Sequence, residues 1–155
     1  GLALASKIPP PDQPMDWVVP LRALMRSLRP GSLAVIISDF ATLDEKAARQ
    51  LLALGASMEL MLVHIYDNFE AEVPPPGRYP LTDGHQRLNL DLRGHAARDA
   101  YSAAFDERRR TLEQLARQSG AGLLLLGTHQ APEGVLAVNL LRGLGWRAPI
   151  TRFSA

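Results

Sequence analysis

The chain has 155 residues, a formal net charge of +1 and no cysteine, with 46% hydrophobic and 21% charged residues. A chain of this size and composition can fold as one domain with a core of its own. The near-zero charge balance leaves no electrostatic footprint for nucleic acid or an anionic membrane surface, and the missing thiol excludes disulfides, thiolate catalysis and cysteine–zinc sites.

Residues 1–15 carry Pro9, Pro10, Pro11 and Pro14 and read as a proline-rich arm or linker. Residues 16–155 read as a single α/β domain. A helix is expected from about Asp16 to Leu28, because Trp17, Leu21, Leu24, Met25 and Leu28 recur at helical spacing. Pro30-Gly31 stops it. Leu33–Ile37 is a continuous apolar run that suits a strand of a parallel sheet, buried on both faces. Thr42-Leu43-Asp44-Glu45 has the form of a capping box and opens a second helix, closed by Gly55. Glu59–Tyr66 is a second apolar strand, so the order is β-α-β.

The middle of the chain departs from this alternation. Asp67–Gly77 holds Phe69, Glu70, Glu72 and three prolines, and reads as a stiff loop, either a rigid connector between strand and hairpin or a segment open to a partner. Arg78–Leu81 and Arg87–Leu92 flank Asp83-Gly84, the signal of an inserted hairpin. A long helix is expected from about His95 to Gln118, with Tyr101, Phe105, Leu112 and Leu115 as its apolar stripe. Arg108 falls inside that stripe. Either its stem packs and its head reaches solvent, or it turns inward to hold a carboxylate. Gly122–Gly127 is a third strand, and 132–144 reads as a last helix.

In an open parallel sheet, ligands bind beyond the carboxyl ends of the strands. Those ends are Ser38-Asp39-Phe40, Tyr66-Asp67-Asn68 and Thr128-His129. The candidate interaction surface is therefore Ser38, Asp39, Phe40, Asp67, Thr128 and His129. Oxygen ligands at such an edge suit a hard cation such as magnesium. His64, inside the second strand, reads as a hydrogen-bonded packing residue. His85 and His95 have no partner at metal-ligand spacing. The chain carries no phosphate-binding Walker loop and no Gly-x-Ser-x-Gly elbow. Gly143-Leu144-Gly145-Trp146-Arg147-Ala148 matches a dinucleotide string by letters but follows a helix, not a strand, and is rejected. Arg108-Arg109-Arg110, beside Asp106 and Glu107, reads as a solvated charge run.

Arg29-Pro30-Gly31-Ser32 leading into Val35-Ile36-Ile37-Ser38-Asp39-Phe40 resembles the bacterial family named "domain of unknown function 58". Val63-His64-Ile65-Tyr66-Asp67 followed by Glu72-Val73-Pro74-Pro75-Pro76-Gly77 extends the likeness, as do Tyr101, Phe105, Arg108-Arg109 and Leu112. The resemblance covers roughly residues 20–128. It implies a von Willebrand factor A-type, Rossmann-like sheet, mainly parallel and flanked by helices. It also implies an adaptor role beside a MoxR-type AAA+ ATPase. Asp39 is similar to the last aspartate of that fold's metal-ion-dependent adhesion site, which would hold Mg2+ in the complete domain. The Asp-x-Ser-x-Ser element of the site is absent from this sequence. The resemblance thus casts the chain as the C-terminal portion of a larger domain.

Two consequences follow. The strand at Leu33–Ile37 is expected to have an open edge, which either joins a second copy in a homodimer, is covered by residues 1–14, or makes the chain misbehave in solution. The expected function is a non-enzymatic protein-interaction module. The alternative is a small α/β hydrolase or phosphatase-like enzyme with Asp39 as nucleophile or metal ligand and His129 as acid/base. No apolar run approaches the ~20 residues of a membrane span, and no signal-peptide pattern opens the chain, so a cytoplasmic location without membrane contact from this segment is expected.

Overall fold

The computed structural model describes residues 16–82 and 87–135. The first helix, α1 (Val18–Ser27), starts where the Asp16 carboxylate accepts the Val18 amide at 2.9 Å and carries Pro20 in its first turn. Gly31 ends the connection at a φ of +81°, a left-handed conformation that glycine adopts without a Cβ penalty. Strand β1 (Leu33–Ser38) follows, then helix α2 (Glu45–Gly55) and strand β2 (Glu59–Tyr66). The two strands pair in parallel, with Leu33 opposite Glu59 and Ser38 opposite His64.

Helix α2 is capped two residues later than the sequence suggests. Asp44, not Thr42, is its N-cap, and its carboxylate accepts the Ala47 amide at 2.8 Å. Thr42 faces the other way and accepts the indole N–H of Trp17 at 3.2 Å. A buried indole needs an acceptor, and Thr42 supplies it from a turn that Asp44 can already cap.

The expected stiff loop after β2 contains one helical turn, α3 (Asn68–Ala71). Asp67 nucleates it by accepting the Phe69 amide at 2.7 Å. Strands β3 (Arg78–Thr82) and β4 (Arg87–Asp91) then form the antiparallel hairpin signalled by Asp-Gly, whose turn lies outside the described residues. The hairpin returns through Leu92, which is buried, to helix α4 (His95–Ser119). Gly120, with a φ of +68°, ends that helix before strand β5 (Gly122–Gly127). Beyond it a helical turn at 132–135 begins where the last helix is expected. The proline-rich arm, the remainder of that helix and the Gly143–Ala148 string lie outside the described residues.

The three parallel strands lie in the order β1-β2-β5, and the hairpin forms a separate sheet. The mixed α/β, Rossmann-like layout with an inserted hairpin is thus the one expected from the sequence. One face of the larger sheet packs Ala34, Leu60 and Leu62 against Leu21, Leu51, Leu54, Leu112 and Leu115 of the helices. The other face holds Met61, Val63, Leu124 and Leu126, with Val135 against them. Burial on both faces holds for β2 but not for β1. Leu33, Val35 and Ile37 are 44%, 44% and 58% exposed on an edge strand, although their sequence reads like that of a central one. An unbroken apolar run records that a strand is compatible with burial. It carries no information on whether a neighbour lies beside it.

Candidate functional site

The parallel register brings the carboxyl ends of all three strands to one side of the sheet. Two of the three ends are joined directly. Thr128 donates its hydroxyl to Asp67 Oδ2 at 2.9 Å, and its amide extends the ladder to the Tyr66 carbonyl at 2.9 Å. The His129 ring folds over Gly127, where a Cβ would stand 2.4 Å from a ring carbon. Asp67 is held below the ordinary carboxylate range, first by the Phe69 amide, then by the Thr128 hydroxyl, with the nearby His129 adding to it. Asp67 therefore serves as the clasp of α3 and β5.

Asp39 stands apart from this trio. It lies one residue beyond Ser38, which is opposite His64, whereas Asp67 follows the β2–β5 pair Tyr66 and Gly127. Its Oδ1 accepts the Ala41 amide at 3.0 Å, and the Ser38 hydroxyl lies 3.4 Å from the same oxygen. Ser38 Oγ in turn accepts the Phe40 amide at 3.0 Å. Ser38 and Asp39 thus hold the turn from within. Asp39 is exposed, and no cation lies within ion-pair distance of it among the described residues. Phe40 pays for the tightness of this turn with a φ of +53°, a conformation that costs a non-glycine residue roughly 1 kcal/mol or more. Its ring offsets that cost by stacking on Trp17, 5.4 Å between centroids and 7° between planes. Phe40 is only 2% exposed, so it forms a floor to the surface rather than a projecting contact.

Beneath the turn lies a group that the sequence reading treats as hydrogen-bonded packing. His64 is fully buried, yet among the described residues neither ring nitrogen has a hydrogen-bond partner. The Asp39 backbone faces the ring without reaching hydrogen-bond geometry. Phe40 meets the ring edge-on at 6.1 Å and Phe105 stacks at 5.9 Å. Burial is the main cause that lowers the His64 pKa, and Arg108 adds to it; Glu70 and Asp39 oppose both. The imidazole is therefore held neutral.

Arg108 resolves the choice left open by its place in the apolar stripe. It turns to hold a carboxylate: its Nη1 donates to Glu70 Oε2 at 2.9 Å, tying α4 to α3. Tyr101 donates to the Phe69 carbonyl and Arg98 to the Pro74 carbonyl, so the loop after β2 is strapped to α4 along its length. Of the arginine run, Arg110 is solvated and paired with Glu107, while Arg109 is largely covered, lying beside Asp106 and Glu113. The sequence signals for this scaffold were present in Tyr101, Arg108 and Glu70. Their pairing was not legible, because it spans 38 residues between Glu70 and Arg108.

The arrangement limits what the edge can do chemically. Asp39 and His129 follow β1 and β5, with β2 between them. Two strand spacings put their backbones roughly 10 Å apart, and the Asp39 carboxylate is engaged by its own turn, at the Ala41 amide. Among the described residues, no three His, Asp or Glu converge as a metal site. No helix among the described residues is long and apolar enough to cross a membrane.

Comparison with known proteins gives a consistent result. The profile of a family described as "Protein of unknown function DUF58" matches residues 3–111. Uncharacterised proteins of Mycobacterium tuberculosis and Mycobacterium bovis are each 30% identical over 141 residues, covering 90% of this chain and 40% of their own length. The chain thus spans less than half the length of these curated relatives. No solved structure matches it.

Proposed function

Because the chain belongs to the DUF58 family of unknown function, we propose that it is the interaction-bearing part of a cytoplasmic adaptor, not an enzyme. Its working surface is the carboxyl edge of the sheet, centred on Asp39 and flanked by Ser38, Asp67, Thr128 and His129. The partner is a protein, and the resemblance to the DUF58 family favours a MoxR-type AAA+ ATPase. One observation carries this reading. Asp39 is an exposed carboxylate at a strand end, held in place by its own turn and without an ion pair among the described residues. A charge kept ordered but unpaired is available to a partner, and desolvating it at an interface favours the complementary partner over others. A magnesium bridge would need ligands beyond the described residues, so no contact is routed through the metal. The open edge of β1 is a second contact surface, through which the chain pairs with a second copy.

The test uses the full-length protein, immobilised and exposed to lysate of its source with and without magnesium. The AAA+ ATPase is expected among the proteins that mass spectrometry identifies. Asp39→Ala should reduce its recovery at least tenfold while leaving the circular dichroism unchanged. Equal recovery would remove Asp39 from the surface, and absence of the ATPase would remove that partner.

A further inference from the structure

Beside Asp39 a cleft of about 290 Å³ opens between the β1–α2 turn and α4. Phe40, Leu43 and Leu112 make its floor, Ala104 one wall, and Glu107 and Arg108 part of its rim. The rim charges are already committed. Arg108 is bound to Glu70 at 2.9 Å and Glu107 to Arg110 at 3.0 Å. What remains is a mainly apolar depression whose one uncharged polar side chain is the exposed Thr111 hydroxyl. It is also slightly smaller than the roughly 300–1,000 Å³ typical of small-molecule sites. A depression of this kind suits a single anchoring side chain, as at the centre of a protein interface.

The occupant's charge follows from the neighbouring residue. Ala41 joins the two features: it lines the cleft, and its amide is held by the Asp39 carboxylate at 3.0 Å. An anchor seated in the cleft therefore has an unpaired anion beside it. The complementary ligand carries a cation next to a bulky apolar group. We propose that this cleft seats one bulky apolar side chain of a partner protein whose adjacent Lys or Arg pairs with Asp39. The inference rests on the reading of the carboxyl edge as an interaction surface and deepens it by giving the chemistry of the contacting segment.

Three acetylated, amidated pentapeptides serve as probes, with Phe-Arg, Phe-Glu or Ala-Arg at the centre of otherwise alanine sequences. Each is titrated into nitrogen-15-labelled protein. The Phe-Arg peptide is expected to shift the amides of Ala41, Leu43, Ala104 and Leu112, and to bind at least fivefold tighter than the other two. Asp39→Asn keeps the acceptor for the Ala41 amide and removes the charge. It should bring the Phe-Arg and Phe-Glu affinities within twofold of each other while both still exceed Ala-Arg. Ala104→Trp, at an exposed helix position, fills the cleft and should abolish the shifts; Thr111→Phe on the same helix gives an independent block. Shifts elsewhere, no shifts, or a Phe-Arg preference that survives Asp39→Asn would overturn the proposal. So would concentration-dependent shifts of the same amides without peptide, which would assign the cleft to a second copy. In the full-length pull-down, loss of partner by Asp39→Ala but not by Ala104→Trp would leave the carboxyl edge standing and sink the cleft. Loss by neither would sink both.

Discussion

His64 is a polar side chain that the fold buries at a cost. It is fully buried with both ring nitrogens unpartnered among the described residues, and an unsatisfied buried polar group costs about 1–3 kcal/mol. Its pKa is lowered from 6.5, by burial first and then by Arg108. In the unfolded chain the imidazole takes up a proton as pH falls through about 6.5, while in the folded protein it stays neutral to lower pH. Stability is therefore complete above 6.5 and falls as the medium is acidified below it. The ceiling for one histidine is about 1.4 kcal/mol per pH unit, and the opposing carboxylates of Asp39 and Glu70 reduce it. We expect a loss on the order of 1 kcal/mol between pH 7 and pH 5. His64→Leu should abolish most of that dependence and be no less stable at pH 5. Urea denaturation at the two pH values checks it, and an unchanged slope in the variant would show that other groups set the acid limit.

At the scale of elements, the contact between α2 and α4 decides how closely the helices approach. Gly55, the last residue of α2, has no room for a side chain. A Cβ there would stand 2.5 Å from the Ser119 carbonyl oxygen and 2.9 Å from its Cβ. Two effects compete in Gly55→Ala. Alanine gains about 1 kcal/mol of helix propensity, but overpacking against backbone costs about 1–3 kcal/mol, and backbone cannot swing aside. The clash wins, and thermal unfolding should occur several degrees lower than in the parent. A rise in the midpoint would mean that the two helices separate without cost. The same scale explains α3. Three prolines after it suggested a stiff connector, yet the turn forms because Asp67 caps it and Tyr101, Arg98 and Arg108 of α4 receive it.

At the scale of the whole molecule, the side of β1 that has no strand neighbour among the described residues is decisive. Leu33, Val35 and Ile37 line an exposed face of an edge strand that holds no charge and no proline. Such edges template pairing with another chain. This chain covers 40% of the length of its curated relatives. For the chain by itself, sedimentation velocity should show association rising with concentration. Val35→Lys together with Ile37→Lys should return it to a monomer with little change in stability, because both positions are exposed. A monomer at every concentration in the parent would rule out pairing through this edge. The segment 1–14, offered by the sequence as an alternative cover, lies outside the described residues.

Periodicity, turn residues and strand-end polar groups sufficed to place α1, α2 and α4, the β-α-β order, the hairpin and the strand ends at Asp39, Asp67, Thr128 and His129. These features are local, so adjacent residues carry them. Family membership was equally legible, since it rests on an order of short motifs. What only the tertiary structure decided are the relations between distant residues. It joined Asp67 to Thr128 and left Asp39 apart, paired Arg108 with Glu70, took Thr42 from the cap to the Trp17 indole, and buried His64 without a partner among the described residues. It also left one face of β1 bare. The physical reason is the same in each case. Burial and pairing depend on which surfaces meet in space, and two strands with the same apolar pattern differ only in whether a neighbour lies beside them.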